Sequence, residues 1–278
     1  MSKPLLHFSH GNSYPAGTYN RLFQALGTHY EVRAHDMYGH DPRFPVGDGW
    51  HGLVDELIHH LEGYEQPPIL VGHSLGGMLS MMAAKERPEL ARCVVMLDSP
   101  VVAGWRAFLW RLVKSRGMGS SFSPAKFSER RRTTWPDRAA AYQHFISKPM
   151  FQAWAPGALD DYLDHGLVPH PEGVQLRFDR AVETLIYNTL PHHMGAIIRE
   201  PYPLPIGFIA GTTSEELRQA GLDATRRLVG DRLVMIEGGH LYPLEKPETT
   251  ARLTHEMIGR LLSSSPQAVN PPVLGAIN

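Results

Sequence analysis

The sequence has almost no cysteine. Cys93 is the single one among 278 residues, so no intrachain disulfide can form. Its place in the run Cys93-Val94-Val95-Met96-Leu97 suits a small buried hydrophobe rather than a reactive thiol. Excess charge of either sign is also missing: 27 basic residues balance 28 acidic ones, a formal net charge of -1. That balance gives no footing for nucleic acid or an anionic membrane. No apolar stretch has the length of a bilayer span, and no signal-like apolar region stands behind Met1-Ser2-Lys3-Pro4. A cytoplasmic protein with no membrane span is therefore expected. There is no H-E-x-x-H, no cysteine pair and no glycine-rich nucleotide fingerprint. The adjacent pairs His59-His60 and His192-His193 point differently on a helix and make poor chelates. Neither a metal nor a cofactor is expected, and no internal repeat is present.

What the chain does have is rhythm. Its length suits one large α/β domain with room for an inserted subdomain. Leu5 to Ser9, Tyr30 to Ala34, Ile69 to Val71 and Arg92 to Leu97 read as strands. Between them, Tyr19-Leu22-Phe23-Leu26 and Trp50-Leu53-Val54-Leu57-Ile58-Leu61 recur at helical spacing. Continuous apolar strands alternating with amphipathic helices predict a mainly parallel sheet covered by helices on both faces. The rhythm stops after Pro100 and resumes at Pro205. Between them the pattern predicts helical stretches rich in aromatics, among them Ala139 to Ile146 and Phe151 to Tyr162, with four of the five tryptophans, Trp105, Trp110, Trp135 and Trp154. Large apolar side chains gathered in an insert suit an apolar pocket. The run Glu129-Arg130-Arg131-Arg132 reads as a solvated helix face. Further on come a strand at 205–211, a helix at 214–229, a strand at 232–236 and a helix at 247–262. These divide the chain into a discontinuous core, 1–100 and 205–263, a helical insert at 101–204, and a loose tail at 264–278.

The chemistry centres on Gly72-His73-Ser74-Leu75-Gly76-Gly77. The stretch follows an apolar strand and opens a helix, and its first five residues fit G-x-S-x-G, the nucleophile elbow, a sharp turn that lifts a serine above the sheet edge. Glycines around the serine let strand and helix approach closely. The following helix N-terminus offers free N–H groups to negative charge. A serine hydroxyl needs a base, and a histidine serves near neutral pH. His240 follows the last predicted strand in Gly238-Gly239-His240, which puts it on the sheet edge where ligands of open parallel sheets gather.

Together with His10-Gly11-Asn12 and Glu245-Lys246-Pro247-Glu248, these segments resemble the α/β-hydrolase superfamily, most of all its capped esterase and C–C hydrolase branch. The resemblance covers residues 4–100 and 205–262. It implies an α/β-hydrolase fold with 101–204 as a cap over Ser74. It also implies an oxyanion hole from the backbone N–H groups of Leu75 and Asn12, with His10 organising its loop and His73 turned away from the serine. Two departures stand out. The usual opening β-hairpin is missing, and Ser214 stands about where the superfamily's acid usually lies. Glu215 and Glu216 next to it fall in the first turn of a helix, as ordinary N-terminal charges. The superfamily's other acid location, after the strand that follows the elbow helix, holds Asp98. Asp98 also keeps the order nucleophile, acid, base, and it is preferred to Glu215.

The expected activity is hydrolysis of a small apolar carboxylic ester through an acyl-enzyme. The alternatives are a C–C bond hydrolase or lyase on the same scaffold, or a hydrolase-fold receptor without turnover. A serine at the elbow argues against dehalogenase and epoxide hydrolase chemistry, which needs a carboxylate there.

Overall fold

The computed structural model describes residues 2–103, 125–199 and 201–263. Trp105, Trp110 and the expected tail at 264–278 lie outside the described residues. The described strands are β1 (Leu5–Ser9), β2 (Glu31–Ala34), β3 (Ile69–His73), β4 (Val94–Leu97), β5 (Thr134–Trp135), β6 (Leu167–His170), β7 (Gly173–Leu176), β8 (Ile206–Gly211) and β9 (Leu233–Ile236). The helices that frame the large sheet are α1 (Asn20–Leu26), α2 (His51–Glu62) and α3 (Leu75–Glu86). Between β4 and β8 lie α4 (Ala125–Arg130), α5 (Arg138–Ile146), α6 (Pro149–Gln152), α7 (Ala158–Gly166), α8 (Arg180–Asn188) and α9 (Met194–Ile197). After β8 come α10 (Glu215–Ala220), α11 (Asp223–Val229), α12 (Tyr242–Glu245) and α13 (Pro247–Ser263).

Six strands form one sheet in the order β2-β1-β3-β4-β8-β9, and every pairing in it is parallel. Side chains alternate across it. Val95 and Leu97 of β4 join α1 and α13 residues such as Leu22, Leu26 and Met257 in one buried cluster. Val94 and Met96 join Leu57 of α2, Leu79 of α3 and Val229 of α11 in the other. Burial on both faces is why the central strands β3, β4 and β8 are buried throughout and largely apolar, while the edge strand β2 alternates. Cys93 is fully buried in the first cluster, and burial pushes its thiol pKa up to about 12.

The topology also places the site. β1 pairs with β2 on one side and β3 on the other, so the chain reverses its direction of winding between them. The carboxyl ends of β1 and β3 therefore border the crevice where ligands of open parallel sheets bind. Asn12 follows β1, and Ser74 follows β3.

Three expectations need correction. The segment between β4 and β8 is not wholly helical: β5, β7 and β6 form a separate three-stranded antiparallel sheet. Its strands carry polar residues at neighbouring positions, so no apolar run announces them. The helix expected at 214–229 is two, α10 and α11. The break comes at Gly221, where φ is 74°, a conformation glycine adopts without the Cβ penalty. The stretch Phe151 to Tyr162 is also broken, by Ala155-Pro156-Gly157, with Gly157 at φ 82°. Among the described residues, no helix is long and apolar enough to cross a membrane.

Candidate active site

Ser74 leaves β3 at φ 53° and ψ -116°, a strained conformation for a residue with a Cβ. Its backbone N–H is held by Leu97 O at 3.0 Å. The neighbouring glycines make the turn possible. A Cβ on Gly72 would come 2.3 Å from the Gly76 backbone, and one on Gly76 would come 2.0 Å from Ser9 O. The helix start is thus wedged against both its own strand and the end of β1. Leu75 is the first residue of α3, so its N–H belongs to the turn whose donors have no partner within the helix.

The structure brings Ser74, His240 and Asp98 together. His240 Nε2 lies 2.9 Å from Ser74 Oγ, and His240 Nδ1 lies 2.7 Å from Asp98 Oδ2. A carboxylate at Nδ1 leaves Nε2 unprotonated in the neutral imidazole, as a base toward the hydroxyl requires. Asp98 follows β4 at φ 47°, fully buried. Its oxygens also accept from Gly211 N at 2.8 Å and from the Ser214 hydroxyl. Three donors satisfy a carboxylate that burial alone would disfavour. For His240, burial pushes the pKa down. The hydrogen bond to Asp98 and the charges of Glu216, Asp98 and Glu245 outweigh it, so the pKa is raised above the ordinary 6.5.

Glu215, the alternative acid, is not part of this group. It is exposed and paired with Arg218 on the outside of α10. The carboxylate beside the imidazole is the next one, Glu216, whose Oε2 lies 3.7 Å from His240 Nδ1. In sequence it reads only as an ordinary N-terminal charge, and Ser214 only as the place where an acid is absent, yet the Ser214 hydroxyl donates to Asp98 while accepting from Leu217 N to cap α10.

The loop after β1 is tied on every side. The His10 ring donates from Nδ1 to Gly11 O at 2.8 Å, and its Nε2 accepts from Tyr38 N at 2.9 Å, so it organises its loop. Burial lowers its pKa to about 4. His73 turns away from Ser74: its Nε2 donates to His240 O at 2.9 Å, and its Nδ1 accepts from Tyr19 OH at 2.7 Å. Gly11 N donates to the same Tyr19 oxygen at 3.1 Å. One buried neutral imidazole thus joins the His240 loop to the Gly11 loop. Asn12 is buried, and its side-chain amide donates to Glu183 O of α8 at 3.1 Å.

A cavity of about 280 Å³ opens beside Ser74. Asn12, Trp50, Leu75 and Met78 wall it from the core, and Ile186, Tyr187, Leu190 and Met194 from the segment between β4 and β8. Among described non-glycine residues, those with positive φ are Ser13, Trp50, Ser74 and Asp98. Three of these line the cavity, a concentration of strain that favours function over accident. The expectation that the insert's tryptophans line a pocket is not met by the described pair. Trp135 and Trp154 pack with Phe145, Phe151 and Tyr162 in an aromatic cluster instead. Nor is Arg131 a solvated charge: it pairs with Glu183 at 2.7 Å and donates to Tyr162 OH at 3.1 Å.

The profile of the Alpha/beta hydrolase family matches residues 6–253. The chain belongs to this family. It is 32% identical over 111 residues to human monoglyceride lipase, 36% of each chain, so the match spans about a third of that relative's length. It is 26% identical over 212 residues to ethanol acetyltransferase 1 of Hanseniaspora uvarum, 70% of this chain and 60% of that one. Among solved structures it is similar to E-2-(acetamidomethylene)succinate hydrolase, with TM-score 0.73 and 23% identity over 93% and 92% of the two chains. An M. tuberculosis esterase gives TM-score 0.64 and 20% identity over 93% and 86%. At these identities the structural likeness speaks for the fold.

Proposed function

We propose that this hydrolase-family protein cleaves a small-molecule carboxylic ester by way of an acyl-enzyme. The observation that carries the reading is the unbroken chain Ser74 Oγ, His240, Asp98, with links of 2.9 and 2.7 Å, at the wall of a mostly apolar cavity. In this reading His240 Nε2 takes the Ser74 proton as Oγ attacks the carbonyl carbon. The N–H groups of Leu75 and Asn12 receive the oxyanion. His240 then returns the proton to the leaving oxygen, and water repeats the sequence on the acyl-enzyme. Asp98 holds the imidazole tautomer and stabilises the imidazolium. The segment between β4 and β8 acts as a cap whose α8 face shapes the acyl pocket. Relatives named as a lipase and as an acetyltransferase support acyl transfer as the reaction class.

The test is an acyl-chain-length series of p-nitrophenyl esters, with fluorophosphonate labelling, on wild type and Ser74→Ala. Wild type should turn over the esters and label once, at Ser74. The variant should lose about 10³-fold or more in kcat. Near-wild-type turnover by a clean variant, or no labelling of wild type, overturns the assignment.

A further inference from the structure

The cavity beside Ser74 is chemically lopsided. Most of its wall is apolar, but one short helix supplies a polar strip. Glu216 and Gln219 stand three apart on α10 and both line the cavity, a spacing that puts them on one helix face. The charged or titratable groups on the described wall are Asp98, Glu216, His240 and Tyr187, with no lysine or arginine among them. Asp98 is fully buried, and its oxygens are engaged by His240, Ser214 and Gly211. Glu216 is different. Its side chain is 48% exposed, and its carboxylate stands 3.7 Å from the same imidazole edge that Asp98 holds. It is the carboxylate with room to meet a ligand.

We propose that Glu216 is a charge filter for the alcohol part of the substrate. Neutral and cationic alcohols are accepted, and those carrying a carboxylate or phosphate are rejected. The inference rests on the ester-hydrolase reading. The argument for the alcohol side is geometric. His240 Nε2 must hand its proton to the leaving oxygen, so the leaving group lies against the imidazole, and Glu216 lies at the other edge of that ring. A carboxylate accepts from O–H and N–H groups and has nothing to donate. The anchoring is also built for position: Ser214 caps α10 and bonds Asp98 with one hydroxyl, so the helix bearing Glu216 is fixed relative to the reacting groups. Two like charges on the order of 6 Å apart near a protein surface repel by an amount that, after screening of a half-exposed group, leaves about tenfold discrimination.

The experiment compares kcat/KM for p-nitrophenyl butyrate and its ring-carboxylated twin in wild type, Glu216→Gln and Glu216→Lys. A second pair is butyrylcholine and the neutral isostere with carbon in place of nitrogen. The readout is the change in each ratio between variants, in which the intrinsic reactivities of the esters cancel. The neutral-over-anionic ratio should fall about tenfold in Glu216→Gln and further in Glu216→Lys. The cation-over-neutral ratio should fall in parallel. Ratios unchanged within twofold, with esters still turned over, overturn the filter and leave the ester-hydrolase reading standing. A wild-type protein that turns over none of these esters and takes no fluorophosphonate overturns both.

Discussion

Asp98 shows how much a single position decides. It must reach the far nitrogen of His240 from a strand end, and it does so from β4 at 2.7 Å, while Glu215 faces Arg218 on the outside of its helix. Asp98→Asn leaves the imidazole in the wrong tautomer and should cost about 10⁴-fold in kcat/KM. Glu215→Gln should change it little. The check is one ester, with folding matched by circular dichroism, and the reverse ranking would move the acid to the β8 loop. A second prediction concerns pH. In the proposed mechanism His240 acts as a base only when neutral, so kcat/KM should rise with pH through an inflection above the ordinary imidazole value of 6.5. The Glu216 charge favours the imidazolium, so Glu216→Gln should move that inflection down and keep activity to lower pH. An inflection that stays in place or rises would contradict the assigned coupling. Ser74 and His240 were legible in the sequence because each sits in a short local pattern at a predicted strand end. Glu216 was not. Its role depends on the angular phase of α10, where a shift of one residue exchanges the face toward His240 for the face toward Arg218, and no local pattern reports that phase.

At the scale of elements, α8 ties the described part of the segment between β4 and β8 to the core. The carbonyls of Glu183, Ile186 and Thr189 accept from Asn12 Nδ2, Trp50 Nε1 and Gly49 N, each at 3.1 Å. Asn12 and Trp50 line the cavity, and Gly49 precedes Trp50 in the same short turn. The helix is held from behind by Arg131 on Glu183, whose side chains are 21% and 8% exposed. Removing one partner of such a pair strands a desolvated charge. Arg131→Met should lower unfolding stability by about 2–3 kcal/mol, a range set below the fully buried case because the guanidinium keeps some water. The double variant with Glu183→Gln should recover part of that loss. Denaturant melts of the four proteins give the coupling directly, and additivity within about 0.5 kcal/mol would refute it. Core helices and strands were legible from their periodicity. The partners of Arg131 were not, because Glu183 and Tyr162 lie 52 and 31 residues away and burial depends on tertiary packing.

Across the whole molecule, the uncharged histidines set acid sensitivity. His7, His10 and His73 are fully buried. Burial pushes His7 to about 3 and His10 to about 4, and drives His73 well below the ordinary value. Each therefore binds a proton more readily unfolded than folded. Their contribution to stability is complete above 6.5 and is lost as pH falls from 6.5 toward the folded values. At pH 5 the loss is up to about 2 kcal/mol for each. The melting temperature should therefore drop steeply between pH 7 and 5, before carboxylates titrate. The variant His7→Gln should flatten that slope, and a melting temperature level to pH 5 would count against the buried neutral assignment. The sheet has a consequence for biosynthesis as well. Ser74 and Asp98 leave adjacent strands, β3 and β4, paired in register at His73 and Leu97, but His240 arrives 142 residues after Asp98. Under the proposed mechanism, a chain emerging from the ribosome carries its nucleophile and acid early and its base nearly last. Until the β9 end of the sheet closes, Ser74 has no partner to take its proton. On that reading a nascent chain lacks its base, and ester turnover reports completed folding.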